Sequence, residues 1–229
     1  MPAYHDRIDI ETHIISLLDF ENGIKDECGL TWYGSNAVTT DDKKFGKYSL
    51  AIRGDVIHCP ISSIEPMANQ KEFSIGWWQR ITWNDKYAGV VSSGYRGIIF
   101  CYFGNYSISS THAFLVGNGS GWIGNQWIGV DASVWHHYLF SKSDNKIMAY
   151  IDGKQVASMD YSGFAIGFNS NLSIGQWDGH SVTGYMDNFF ISSASIDTDF
   201  DIHRKFEKLD KKEYRILDEN KENIYSRKE

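Results

Sequence analysis

Apolar and polar residues alternate along this chain with a period of two, in short runs separated by turn residues. The longest run is Glu72 to Trp83. Phe73, Ile75, Trp77, Ile81 and Trp83 fall on one face, with Gln79 the exception, and Ser74, Gly76, Trp78, Arg80 and Thr82 fall on the other. Successive strand residues point to opposite faces, so the run predicts a half-buried strand with the first set in the core. Trp78 beside Arg80 on the second face either covers a further layer or offers a flat apolar surface to a ligand. Lys47 to Arg53 repeats the pattern, with Tyr48, Leu50 and Ile52 alternating against Lys47, Ser49, Ala51 and Arg53.

Turn residues cut the remaining pattern into strands. Ile14 to Phe20 is closed by Glu21-Asn22-Gly23, and Val56 to Cys59 by Pro60. Further runs are Tyr87 to Ser92, Arg96 to Phe103, Thr111 to Val116, Leu172 to Gly175 and Gly184 to Ile191. Between Trp135 and Ser158 the order is strand, turn, strand, turn, strand, broken at Asp144-Asn145 and at Asp152-Gly153. An Asp-Gly pair suits a two-residue turn that needs positive φ, so an antiparallel sheet is seeded here. His136 and His137 are neighbours in this strand, point to opposite faces and cannot easily share a metal ion.

Two segments break the pattern in ways that suggest binding. Gly117 to Gly129 carries five glycines together with Trp122 and Trp127. Read as a loop, it offers two tryptophans to the face of a sugar ring; read as a hairpin, it caps the fold with them. Gln176 to His180 is a second loop, where Trp177, Asp178 and His180 are candidate ligand contacts. Residues 197–229 are dense in alternating charge, and Ile202, Phe206 and Leu209 have helical spacing. A short amphipathic helix is predicted there, able to dock on a partner. The organisation expected is an arm over 1–13, one all-β domain over 14–196 and a charged tail over 197–229.

Composition narrows the function classes. Aromatics reach 15% and glycines number 21, which favours strands over helices. A net charge of −7 without a basic run argues against a nucleic-acid partner. No apolar stretch approaches the ~20 residues needed to cross a bilayer, so no membrane partner is expected. Cys28, Cys59 and Cys101 are too few and too unevenly placed for a disulfide framework and read as buried free thiols. The N-terminus lacks a basic leader followed by an apolar core, which predicts synthesis and retention in a reducing cytoplasm until release. Arg7-Ile8-Asp9-Ile10-Glu11 imitates part of a glycosidase carboxylate run but lacks its first acid.

Seven pieces follow one another in order: Leu17 to Glu21, Phe45 to Ala51, Glu72 to Trp78, Trp135-His136-His137, Ala149 to Lys154, Leu172 to Gly175 and Gly184 to Ile191. Covering about residues 16–195, they resemble the laminin-G-like (LamG type 3 and pentraxin-like) modules of the concanavalin A-like superfamily. The resemblance implies a jelly roll of two antiparallel sheets with first and last strands adjacent, and makes the paired histidines framework. It also implies a structural Ca²⁺ held by the acid at Asp187 with backbone carbonyls near Gly46, close to Asp19 or Glu21. Ca²⁺ takes such oxygens readily.

No nucleophile elbow, zincin motif, P-loop or mid-sheet acid pair is present. The expected function is therefore non-enzymatic recognition of a glycan or cell-surface polymer, carried on a phage or prophage virion as a tail or capsid-associated protein. The absent leader, the reduced cysteines and the mixed-charge tail suggest the virion, with a bacterial surface or extracellular location as the alternative. The rivals are a decoration protein binding other virion proteins through its tail, with homo-oligomers possible, and a polysaccharide hydrolase or lyase.

Overall fold

A computed structural model describes residues 14–35, 38–54, 56–60, 72–85, 87–103, 112–161 and 171–196, with Ser63 and the tail strands at 205–210, 213–217 and 223–226. The predicted arm over 1–13, including the acidic imitation at Asp9 and Glu11, lies outside the described residues.

Two antiparallel sheets form the body. The first runs in the order β13 (Lys154–Asp160), β12 (Lys146–Ile151), β11 (His136–Ser143), β6 (Phe73–Asn84), β16 (His180–Ser192), β4 (Ser49–Arg53) and β3 (Val38–Thr39). Two further strands, β1 (Ile14–Leu18) and β15 (Gln176–Trp177), also pair with β16. The second sheet runs β10 (Trp122–Ile128), β9 (His112–Gly117), β8 (Ile98–Phe103), β7 (Ala88–Ser92), β14 (Leu172–Ile174), β5 (Ile57–Cys59) and β2 (Tyr33–Gly34). The first and last body strands are adjacent, with Leu18 opposite Phe189.

The inner faces pack together as the alternation predicts. Phe73, Ile75, Trp77, Tyr138 and Phe140 of the first sheet join Ile57, Val90, Phe114, Val116 and Ile174 of the second in one buried core. Phe114 and Phe140 meet across the two layers with ring centroids 6.5 Å apart. Gln79, the polar exception, is buried because its Oε1 accepts the Trp77 Nε1–H at 2.7 Å. The indole thereby finds the partner a buried N–H needs. The Asp152-Gly153 turn has φ of 50° and 73°, as a type I′ hairpin requires.

Trp83 departs from the alternation. Between Ile81, opposite Gly184, and Trp83, opposite Thr183, one extra residue enters β6 as a bulge. The side chains past it change faces. Asn84 is buried in consequence, and Trp83 is 51% exposed rather than in the core. Likewise, the thiols are not all buried: Cys59 is, whereas Cys28 is exposed.

The tail also corrects its expectation. In place of a helix, β17 (Lys205–Asp210), β18 (Glu213–Leu217) and β19 (Asn223–Ser226) form a three-stranded antiparallel sheet. Phe206 pairs with Ile216 and Ile216 with Tyr225. Three apolar positions are too few to fix a period, and the sheet's partner segments lie outside the window that suggested the helix.

Candidate functional site

The site is built where two turns meet at one end of the second sheet. The turn joining β7 and β8 is closed by Gly97 N donating to the Gly94 carbonyl at 3.1 Å and by Ser93 N donating to the Ile98 carbonyl at 2.8 Å. The β9–β10 turn is closed by Asn118, whose Oδ1 accepts the amides of Ser120 and Gly121 at 3.0 and 2.9 Å. The two turns are laced together: Gly117 N donates to the Gly97 carbonyl at 2.8 Å and Gly119 N to the Arg96 carbonyl at 2.9 Å. The Gly-rich segment 117–129 is thus a hairpin whose tryptophans stand on an edge strand.

This lacing holds Tyr95 beside Trp122, ring centroids 5.7 Å apart and nearly perpendicular at 82°. Trp177, from the β15–β16 hairpin, lies parallel to Tyr95 at 6.5 Å and 9°. With Leu115, Gly124 and Asn125 these three rings line a cleft of about 300 Å³ on the outward face of the second sheet. Leu115 and Asn125 are register partners that alternate with the core residues Phe114 and Val116, which places them on the outer face. Trp127 is two residues beyond Asn125 and 47% exposed, so it extends the same face along the strand.

The remaining candidates divide between this face and the other sheet. His180 is the register partner of Trp177, and its Nδ1 lies 3.1 Å from Asp85 Oδ2, with Tyr87 edge-on at 6.3 Å. Asp178 occupies the hairpin turn at φ 49° and is exposed. Trp78 and Arg80 lie elsewhere, on the outer face of the first sheet. Trp78 is buried at 4% exposure, beneath Lys44, whose Nζ is 4.1 Å from its ring centroid, and edge-on to Phe45 at 5.7 Å. Arg80 pairs with Asp42 and donates from Nε to the Ser133 carbonyl at 2.7 Å. Both residues fasten the 42–45 loop and the segment before β11, which favours the packing reading of that face.

The carboxylates proposed for calcium converge as expected, but on amides. Asp187, 1% exposed, accepts N–H groups from Lys44 and Phe45 at 3.0 and 2.9 Å on Oδ2 and from Asn188 at 2.9 Å on Oδ1. Glu21 Oε1 accepts from Lys47 and Tyr48 at 2.8 and 3.1 Å, and Asp19 Oδ1 accepts the Glu21 amide at 3.0 Å. Gly46, at φ 57°, lies so close to the Glu21 carboxylate that a side chain would collide with it. Burial pushes the Asp187 carboxyl up to about 7, against the three amides and with the Glu21 charge adding to the rise. Ca²⁺ would use these same carboxylate oxygens together with backbone carbonyls, and would share them with the amides. Among the described residues no three His, Cys, Asp or Glu side chains gather as a metal group.

His136 and His137 diverge as predicted. His136 Nδ1 lies 2.5 Å from Asp152 Oδ2, which raises the imidazole pKa, while His137 is buried against Trp78. Sequence reading named Trp122, Trp127, Trp177 and His180 but missed Tyr95, Arg96, Leu115 and Asn125. Tyr95 carried one usable signal, an aromatic residue inside the small-residue turn Ser93-Gly94-Tyr95-Arg96-Gly97.

Two face-to-face antiparallel sheets with an aromatic cleft on one outer face define a concanavalin A-type β-sandwich. The chain belongs to the Laminin_G_3 family, of the Concanavalin A-like lectin/glucanases superfamily, whose model matches residues 54–199. No curated protein matches it. Among solved structures, the binding domain of botulinum neurotoxin DC in complex with SialylT is similar at 18% identity and a TM-score of 0.65, over 84% of this chain and 51% of that one. A botulinum neurotoxin type C structure, described as depending on two ganglioside molecules for cell entry, is similar at 16% identity and 0.62, with the same coverages. The chain thus spans about half the length of those neurotoxin chains. Domain 4 of AbnA, a GH43 extracellular arabinanase from Geobacillus stearothermophilus in complex with arabinotriose, is similar at 14% identity and 0.59, over 83% of this chain and 96% of that domain.

Proposed function

We propose that this protein is a non-catalytic carbohydrate-recognition module that holds its glycan in the cleft of Tyr95, Trp122 and Trp177. The cleft itself carries the reading. Exposed indole and phenol rings offer flat apolar faces to the C–H side of a pyranose, and Asn125 supplies both donor and acceptor for its hydroxyls. About 300 Å³ is the lower end of the size range of small-ligand sites. Among the described residues no carboxylate lines the cleft, whereas hydrolysis of a glycosidic bond ordinarily requires two flanking it. Likeness to domains bound to SialylT and to arabinotriose supports the same class of ligand.

A glycan array with the wild type, Trp122→Ala and Trp177→Ala tests the proposal. Binding to one glycan class by the wild type, weakened in both variants, supports it; indifference to every surface polysaccharide defeats it. Reducing-end release from the bound polymer is expected to be nil. Carriage on a phage or prophage virion is proposed on the sequence features alone. Tail or capsid genes beside this one would support it, and loss of assembly without residues 200–229 in a protein that binds no glycan would favour the decoration role instead.

A further inference from the structure

We infer that the sugar held in the cleft carries a carboxylate and that Arg96 is its counter-ion. This rests on the carbohydrate reading above and names the ligand's charge. Arg96 follows Tyr95 in the β7–β8 turn, with its guanidinium carbon 5.1 Å from the Tyr95 ring centroid. Its Nη1 donates at 2.6 Å to the carbonyl of Ser120, two residues before Trp122. The guanidinium is therefore tied to both turns that carry the cleft's walls.

The backbone fixes it there. Arg96 has φ 61°, a left-handed conformation that is strained for a residue with a side chain. Its carbonyl receives the Gly119 amide and lies so near Gly117 that a β-carbon on that residue would overlap it. Strain of this kind is retained where the surroundings hold it, often at ligand clamps.

Within residues 14–196 the other two arginines each meet an aspartate: Arg53 with Asp41 and Arg80 with Asp42. Arg96 has no carboxylate partner among the described residues, although the chain carries 29 acidic residues and a net charge of −7. Of its five N–H donors, Nη1 holds Ser120, and Nε is shielded from solvent without a hydrogen-bond partner. The lining among the described residues, Tyr95, Leu115, Trp122, Gly124, Asn125 and Trp177, is uncharged. A neutral aromatic cleft, with a guanidinium that has no carboxylate partner among the described residues against its Tyr95 wall, matches a ring with an apolar face and a single carboxylate, such as a uronic or a sialic acid. Charge-assisted bonds to a carboxylate are about twice as strong as neutral ones.

Two matched pairs separate charge from sugar: 3′-sialyllactose against lactose, and trigalacturonate against its methyl ester. Each is titrated calorimetrically at low and high salt with the wild type, Arg96→Gln and Arg96→Asn, the last because Asn tolerates left-handed backbone. The expected result is a preference of about tenfold or more for the acid of one pair, falling with salt. Either folded variant is expected to lose the preference while keeping the binding of the neutral partner. Equal binding of acid and neutral sugar, or a preference that survives both substitutions, overturns this inference and leaves the carbohydrate reading standing. If no member of either pair and no arrayed glycan binds, and Trp122→Ala changes nothing, the carbohydrate reading falls and this inference with it.

Discussion

Tyr95 and Trp177 present parallel rings, 9° apart in plane and 6.5 Å between centroids, although they come from separate hairpins. Trp122 closes the third side at 5.7 Å from Tyr95. None of the three rings belongs to the main core between the sheets, although Trp177 packs on the buried Ala113, so shortening one should empty the cleft without unfolding the sandwich. Trp122→Ala and Trp177→Ala are each expected to weaken glycan binding about tenfold, the scale of one aromatic contact. Calorimetry checks this, with unchanged far-UV circular dichroism as the folding control. Affinity unaffected in both variants would place the glycan elsewhere.

A glycine within a sheet and one in a surface turn are expected to differ sharply in tolerance. At Gly184, beside the β6 bulge, a β-carbon would press on the backbone of Arg80 and Ile81, which cannot move aside as a flexible side chain can. Gly184→Ala should cost about 1–3 kcal/mol. At Gly121 a β-carbon meets nothing within 4 Å, so Gly121→Ala should be near neutral. Urea denaturation of the two variants, compared by midpoint, decides the matter.

Stability should fall as pH rises from acid to alkaline. Folded Asp187 titrates near 7, above the roughly 3.9 of an unfolded aspartate. The folded chain therefore keeps a proton that the unfolded chain has lost, and this contribution declines as pH rises from about 4 through 7. His136, raised by its bond to Asp152, acts in the same sense in a higher window. Its contribution is complete below about 6.5 and is lost as pH passes its raised value. Urea midpoints at pH 5, 7 and 9 should decrease for the wild type. Asp187→Asn should flatten the lower interval and His136→Gln the upper. Midpoints that rise across the series would contradict both assignments.

Calcium should leave thermal stability unchanged, because the oxygens of Asp187 and Glu21 already accept five backbone amides from 44–48 and 188. Melting with millimolar Ca²⁺ and with chelator should coincide. A rise of several degrees with calcium would mean that these carboxylates hold the ion.

By itself the sequence determined the layers. Period-two alternation at Phe73, Ile75 and Trp77, and the Asp152-Gly153 turn, are local signals, because side-chain direction in a strand and positive φ in a turn depend on near neighbours. The adjacency of β1 and β16, which brings Asp19 and Glu21 toward Asp187, was legible through the family resemblance. Trp122, Trp177 and His180 stood out because they sit among glycines and turn residues. Only the tertiary structure decided the rest. A single bulge in β6 turned Trp83 outward and Asn84 inward, and pairing with partner segments made the tail a sheet. The site belongs to this second group: Tyr95, Asn125 and Trp177 lie far apart in the chain. Their meeting depends on hydrogen bonds between two turns and on sheet register, neither of which leaves a local periodic trace.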